Sequence, residues 1–122
     1  MKRTIRIQSV VLLLTGAMAQ NLFGNWKAGL SKTNITPEGP IWLAGFGART
    51  KPSEGVLQPI FVKALALQDE SNAISVLVTS DLLGFNRDMA ACVAREVQDK
   101  FKLPRHRLAI NSSHTNSAPC SA

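Results

Sequence analysis

Residues 73–112 decide the fold. They read Ala73-Ile74-Ser75-Val76-Leu77-Val78-Thr79, then Asn86-Arg87-Asp88-Met89 onward to Phe101, then Arg107-Leu108-Ala109-Ile110-Asn111-Ser112. The first run is β-branched and almost wholly apolar, which predicts an interior strand over Ile74–Thr79. In the second run Met89, Val93, Val97 and Phe101 recur every four residues, with Ala90, Cys92 and Ala94 widening the stripe, so a helix is expected. Asn86 is its expected N-cap, Asp88 sits in its first turn, and Leu103-Pro104 ends it. A last strand is expected over Arg107–Ser112. Strand, helix, strand is a βαβ unit, whose crossover makes its two strands parallel and is almost always right-handed. Ligands of open α/β sheets gather outside the carboxyl ends of such strands. Asp81 and His114 each stand just past one of those ends, so both are expected on one rim.

Upstream, a strand is expected over about Trp26–Ile35, stopped by Pro37. Residues 41–55 are rich in Gly and turn formers, including Gly45-Phe46-Gly47-Ala48-Arg49, and read as a loop. Two readings of it stay open: a connector with a solvated Arg49, or a functional loop whose Arg49 contacts substrate. Ile60–Leu67 reads as a strand apolar on both faces, hence covered on both sides. The turn at Asp69-Glu70-Ser71-Asn72 makes it the antiparallel hairpin partner of Ile74–Thr79. The fold class is therefore α/β: a mixed β-sheet with a βαβ unit. The closing residues Pro119-Cys120-Ser121-Ala122 follow a loop with no strand or helix after it. The expectation is an incomplete amino-terminal part of a larger layered α/β domain, spanning residues 20–122 and truncated at its carboxyl end.

The first 19 residues read as a signal peptide. Lys2, Arg3 and Arg6 form its positive end, Val10 to Leu14 its apolar run, and Ala17-Met18-Ala19 a cleavage site before Gln20. Gln8, Ser9, Thr15 and Gly16 interrupt the apolar stretch, whereas a spanning helix needs about 20 apolar residues. The expected destination is periplasmic or extracellular. The formal charge of +6 includes the three leader cations, and without them 11 basic residues face 8 acidic ones. The charges are scattered and no RNA-binding aromatic pattern occurs, which excludes nucleic acid as the expected partner. Lys100, Lys102, Arg105 and Arg107 follow the helix and are expected to cap it electrostatically; contact with an anionic membrane surface is the weaker reading. Cys92, beside apolar helix positions, is expected as a buried free thiol, and its pairing with Cys120 stays open.

The chemistry concentrates in Asn111-Ser112-Ser113-His114-Thr115-Asn116-Ser117-Ala118-Pro119. A histidine directly after a buried strand is held by the sheet, and its small neighbours leave room for an ion and a substrate. A neutral imidazole is a good zinc ligand. One histidine can equally be bonded locally, so both readings stand at this point. Asp81 can orient His114 through its second ring nitrogen, or bond the backbone of the Leu82-Leu83-Gly84 turn. Asn111, Ser112 and Ser113 can offer hydrogen bonds to a substrate or satisfy the local backbone. No serine here has a visible partner base, so none is read as a nucleophile.

Four stretches in order resemble the amino-terminal part of the neutral/alkaline, non-lysosomal ceramidase family. Ala28-Gly29-Leu30-Ser31-Lys32-Thr33-Asn34-Ile35-Thr36-Pro37 is similar to that family's Gly-x-x-x-x-Asp-Ile-Thr-Pro strand. Leu43-Ala44-Gly45-Phe46 is similar to its Met/Leu-x-Gly-Tyr/Phe segment, and Val76 to Leu82 to its strand ending in Asp-Leu. Ser113-His114-Thr115-Asn116-Ser117-Ala118-Pro119 resembles its Thr/Ser-His-Thr-His-Ser-Gly-Pro. The resemblance implies a zinc-dependent hydrolase that cleaves the N-acyl amide of ceramide-like lipids, with His114 as a catalytic zinc ligand. Its other zinc ligands are implied beyond residue 122, so no complete catalytic set lies in this chain, and alone it is expected to be inactive. Asp81, Asn116, Ser113 and Arg49 are the residues expected around the metal or the substrate. Asn116 stands where the second histidine would be, Asn34 where the aspartate would be, and Ala118 where the glycine would be. Asparagine does not titrate near neutrality and is a poor zinc ligand. Two alternatives remain: a related exported amide or ester hydrolase with another substrate, or a non-catalytic binding domain that keeps the fold.

Overall fold

The computed structural model describes residues 24–119, which form one mixed sheet of four strands with one helix. The strands are β1 (Lys27–Asn34), β2 (Phe61–Gln68), β3 (Ile74–Ser80) and β4 (Leu108–Ser112), lying side by side in chain order. Helix α1 (Arg87–Phe101) connects β3 to β4. β1 and β2 pair antiparallel, as do β2 and β3, while β3 and β4 pair parallel with Val78 opposite Ile110. The fold class and the βαβ unit expected from residues 73–112 are thus present. The residues expected to form a signal peptide, the expected cleavage point and Cys120 lie outside the described residues. Among the described residues no helix is long and apolar enough to cross a membrane.

Local chemistry explains where the elements begin and end. Asn86 caps α1, its Oδ1 accepting from the Met89 N–H at 2.7 Å. Lys102 closes the helix in the left-handed conformation, φ 57°, and donates its N–H to the Gln98 carbonyl at 2.9 Å. The Lys102 ammonium reaches the Asp99 carbonyl at 2.8 Å, and Lys100 pairs with Glu96 at 3.0 Å. Of the four basic residues expected to cap the helix, Lys102 does so, whereas Arg105 donates to the Leu108 carbonyl at 2.6 Å. A single 3-10 turn, Arg105–Arg107, precedes β4, which starts one residue later than expected. In the β2–β3 turn the Asp69 carboxylate accepts from the Ser71 N–H, the Ser71 hydroxyl and the Ala73 N–H at 2.9, 2.6 and 3.0 Å.

The two faces of the sheet differ. Pairing places Val62, Ser80 and Ser112 in one row, and Ala64, Val78 and Ile110 in the next. Successive strand residues alternate faces, so these share one side with Leu108, which is buried. The opposite side carries the row Leu30, Leu65, Leu77, Ala109, and there Leu30 is 85% and Leu77 39% exposed. β2 is therefore not covered on both sides by the described residues, contrary to the expectation from its sequence. Cys92 is exposed rather than buried, because the inward stripe of α1 is Met89, Ala90, Val93, Ala94 and Val97, which Cys92 faces away from. Phe101, at the end of the last turn, is 75% exposed and leaves that stripe.

Candidate functional site

The carboxyl ends of β3 and β4 meet as their register requires, with Ser80 opposite Ser112. The Ser113 N–H continues the pairing by donating to the Ser80 carbonyl at 2.9 Å, and the Thr115 N–H donates to the Leu82 carbonyl at 3.3 Å. The Leu83 carbonyl accepts from the Ser112 hydroxyl at 3.2 Å and lies 2.8 Å from Nδ1 of His114. A carbonyl oxygen can only accept, so Nδ1 is the donor in this hydrogen bond, and in the neutral ring the lone pair is then on Nε2. His114 itself has φ 59°, a left-handed conformation uncommon outside glycine, and its side chain is exposed.

Asp81 stands on the same rim but turns toward β2. Its Oδ2 accepts from the Phe61 N–H at 2.9 Å, and its Oδ1 lies 3.3 Å from the Lys63 ammonium. Two expectations are corrected here. The group that orients His114 is the Leu83 carbonyl, not Asp81, and the backbone that Asp81 bonds is that of β2, not the turn 82–84. The β2–β3 register accounts for both: Val62 lies opposite Ser80, so the next residue on β3 meets the start of β2.

The Gly-rich loop docks against the His114 segment. Leu43 and Pro119 form an isolated antiparallel bridge, and the Ala44 N–H donates to the Ala118 carbonyl at 2.8 Å. Arg49 donates through Nη2 to the Asn116 carbonyl at 3.2 Å, while its Nε is buried with no acceptor. Arg49 is half-buried and tied to residue 116, so the loop is anchored to the His114 segment. Gly45, at φ +85°, leaves the space that the Asn116 side chain fills.

An open cleft of about 1010 Å³ lies beside this docking point, and Arg49, Asp81 and Ser113 line it. His114 and Asn116 are outside its lining. The site residues expected from sequence thus fall into two neighbouring groups, His114 with Asn116 on the rim and the other three in the cleft. Among the described residues no three His, Cys, Asp or Glu side chains converge on a metal position. Sequence reasoning missed Leu83, whose contribution is a backbone carbonyl and carries no side-chain signal. It also missed Lys63, which interrupts an apolar strand and was visible as such.

No protein-family model and no curated protein matches the chain. Among solved structures the chain is similar to the neutral ceramidase from Pseudomonas aeruginosa, with a TM-score of 0.72 and 19% identity. It is also similar to a ceramidase complexed with C2, with a TM-score of 0.68 and 19% identity. In both cases 80% of this chain is covered, and the chain spans 16% of the length of its neighbour. The described residues have a ceramidase-like fold.

Proposed function

We propose that this chain contributes to an exported, zinc-dependent hydrolase that cleaves the N-acyl amide of ceramide-like lipids, with His114 as one zinc ligand. The observation that carries the reading is the 2.8 Å contact between His114 Nδ1 and the Leu83 carbonyl. Metal-binding histidines characteristically donate their second ring nitrogen to a carbonyl or carboxylate, which fixes the tautomer and aims the other lone pair. The donor set fits zinc to the extent of this one ligand. A catalytic zinc takes about three protein ligands plus water, so the others come from outside the described residues.

His114 would hold the zinc together with ligands from outside the described residues, and a zinc bound there would supply polarisation of the scissile carbonyl and a bound water with a pKa of about 7. The chain's own residues do the rest of what can be assigned. The Leu83 carbonyl holds the His114 ring in one tautomer. Arg49 and Ser113, on the cleft wall, are the groups that contact the substrate, and the Arg49 guanidinium has N–H donors to spare. Asn116 is a poor metal ligand and does not titrate near neutrality; it packs under the loop at Gly45.

The test is fatty-acid release from a ceramide by the intact protein, with and without chelator. Release that is lost on chelation and restored by zinc supports the reading. Stoichiometric zinc without release from ceramide, but with release from another N-acyl amide or an ester, moves the substrate and keeps the chemistry. Neither zinc nor hydrolysis leaves a binding domain.

A further inference from the structure

The cleft beside the His114 segment has a charge imbalance that a neutral lipid amide does not explain. Its lining holds three cations, Lys32, Arg49 and Lys63, against one carboxylate, Asp81. Lys32 and Lys63 are directly opposite in the β1–β2 register, and like charges so placed destabilise an antiparallel pair. The local compensation is incomplete. Lys32 rests its ammonium 3.7 Å from the centre of the Phe61 ring, and Lys63 reaches Asp81 at 3.3 Å. Arg49 spends one donor on the Asn116 carbonyl, and its buried Nε has no acceptor. The rest of the lining is largely apolar, with Leu43 and Val56 on the loop side.

A cleft with an apolar wall and surplus cations is complementary to an amphiphile with an anionic head. We infer that its occupant is an N-acyl amide with a carboxylate on the amine side, that is, an N-acylated amino acid. The inference rests on the proposed amide hydrolysis and moves its substrate from a neutral ceramide-like lipid to an acidic N-acyl amide. The carboxylate sits between Lys32 and Lys63, relieving their repulsion, and the acyl chain lies along Leu43 and Val56. Asp81 keeps the pair from binding a second anion and holds Lys63 at the head-group end.

The experiment compares binding of N-dodecanoylglycine and N-dodecanoylglycinamide to the full chain by calorimetry, below their micelle concentrations and without metal. The two ligands differ in one negative charge, so the ratio of affinities reads the cations alone. A charge-assisted contact is worth roughly 1.5–3 kcal/mol, and the acid is expected to bind at least about tenfold tighter than the amide. Lys32→Gln and Lys63→Gln should each shrink that ratio. Lys32→Gln removes a like-charge pair from an exposed edge strand, so it should stay folded, and a thermal melt at least as high as wild type checks this. Equal affinity for acid and amide, no binding of either, or an unchanged ratio in both variants would overturn the inference. Ceramide hydrolysis that persists with equal acid and amide affinity overturns the anionic substrate alone; absence of all hydrolysis with the acid preference intact overturns the amide chemistry alone.

Discussion

The side chain of Asn116 occupies the space that a Cβ on Gly45 would need: such an atom would lie 2.6 Å from Asn116 Cγ and 2.9 Å from its Cβ. Two stretches 71 positions apart in sequence are fitted together at this point, and the His114 segment takes its shape from the fit. Gly45→Ala meets both the contact and the φ of +85°, so it should destabilise the protein by about 1–3 kcal/mol in urea unfolding. In an Asn116→Gly background the same change should cost less, because only the backbone strain remains. A double-mutant cycle with no coupling would mean that the two residues do not touch.

Asp81 acts on β2. Asp81→Ala removes the acceptor of the half-buried Phe61 N–H and should cost about 1–3 kcal/mol, whereas Asp81→Asn keeps an acceptor and should cost less. Because Asp81 does not reach His114, Asp81→Asn should leave the zinc content of the protein unchanged. Zinc loss in that variant at full folding would restore the orienting role that its position on the rim first suggests.

The β2–β3 turn is expected to contribute to the loss of stability at low pH. The Ser71 hydroxyl first, then the Ala73 and Ser71 N–H groups, hold the Asp69 carboxyl below its ordinary value of 3.8, with a smaller contribution from Arg107. A depressed carboxyl pKa stabilises the fold above the unfolded value and loses that stabilisation as pH falls through the folded one. Unfolding midpoints should therefore drop as pH goes below about 4, and Asp69→Asn should flatten that part of the profile. An identical profile in the variant would assign the acid sensitivity to other carboxylates.

The proposed export rests on the sequence of residues 1–19, and the mass of any protein recovered outside the cytoplasm checks it. Loss of residues 1–19, leaving Gln20 first, is the expected result. A soluble cytoplasmic protein that retains Met1 to Ala19 would contradict it.

The sheet was largely legible because periodicity reports it. The apolar run at Ile74–Thr79, the Asn86 cap and the four-residue spacing along α1 each have a single reading, and together they require the parallel β3–β4 pair. Loop docking was not legible. That Leu43-Ala44-Gly45 pairs with Ala118-Pro119 depends on where two loops meet, and no local pattern encodes it. The direction of Asp81 was hidden for a related reason: it follows from the β2–β3 register, which sets Val62 against Ser80. Cys92 misled because four-residue spacing defines a stripe but leaves its flanks undecided, and Cys92 lies off that flank. Apolar composition likewise cannot say what covers a strand, and the Leu30–Leu77 side of the sheet is open among the described residues.

The central claim is that the Leu83 carbonyl prepares His114 to bind zinc through Nε2. Long-range proton–nitrogen correlation spectra of the intact protein test it, recorded before and after zinc is added, with His106 as the internal control. The account predicts a protonated Nδ1 and a bare Nε2 on His114, with Nε2 shifting strongly on zinc binding and His106 unchanged. A protonated Nε2 on His114, or zinc binding that leaves its ring nitrogens where they were, would contradict it.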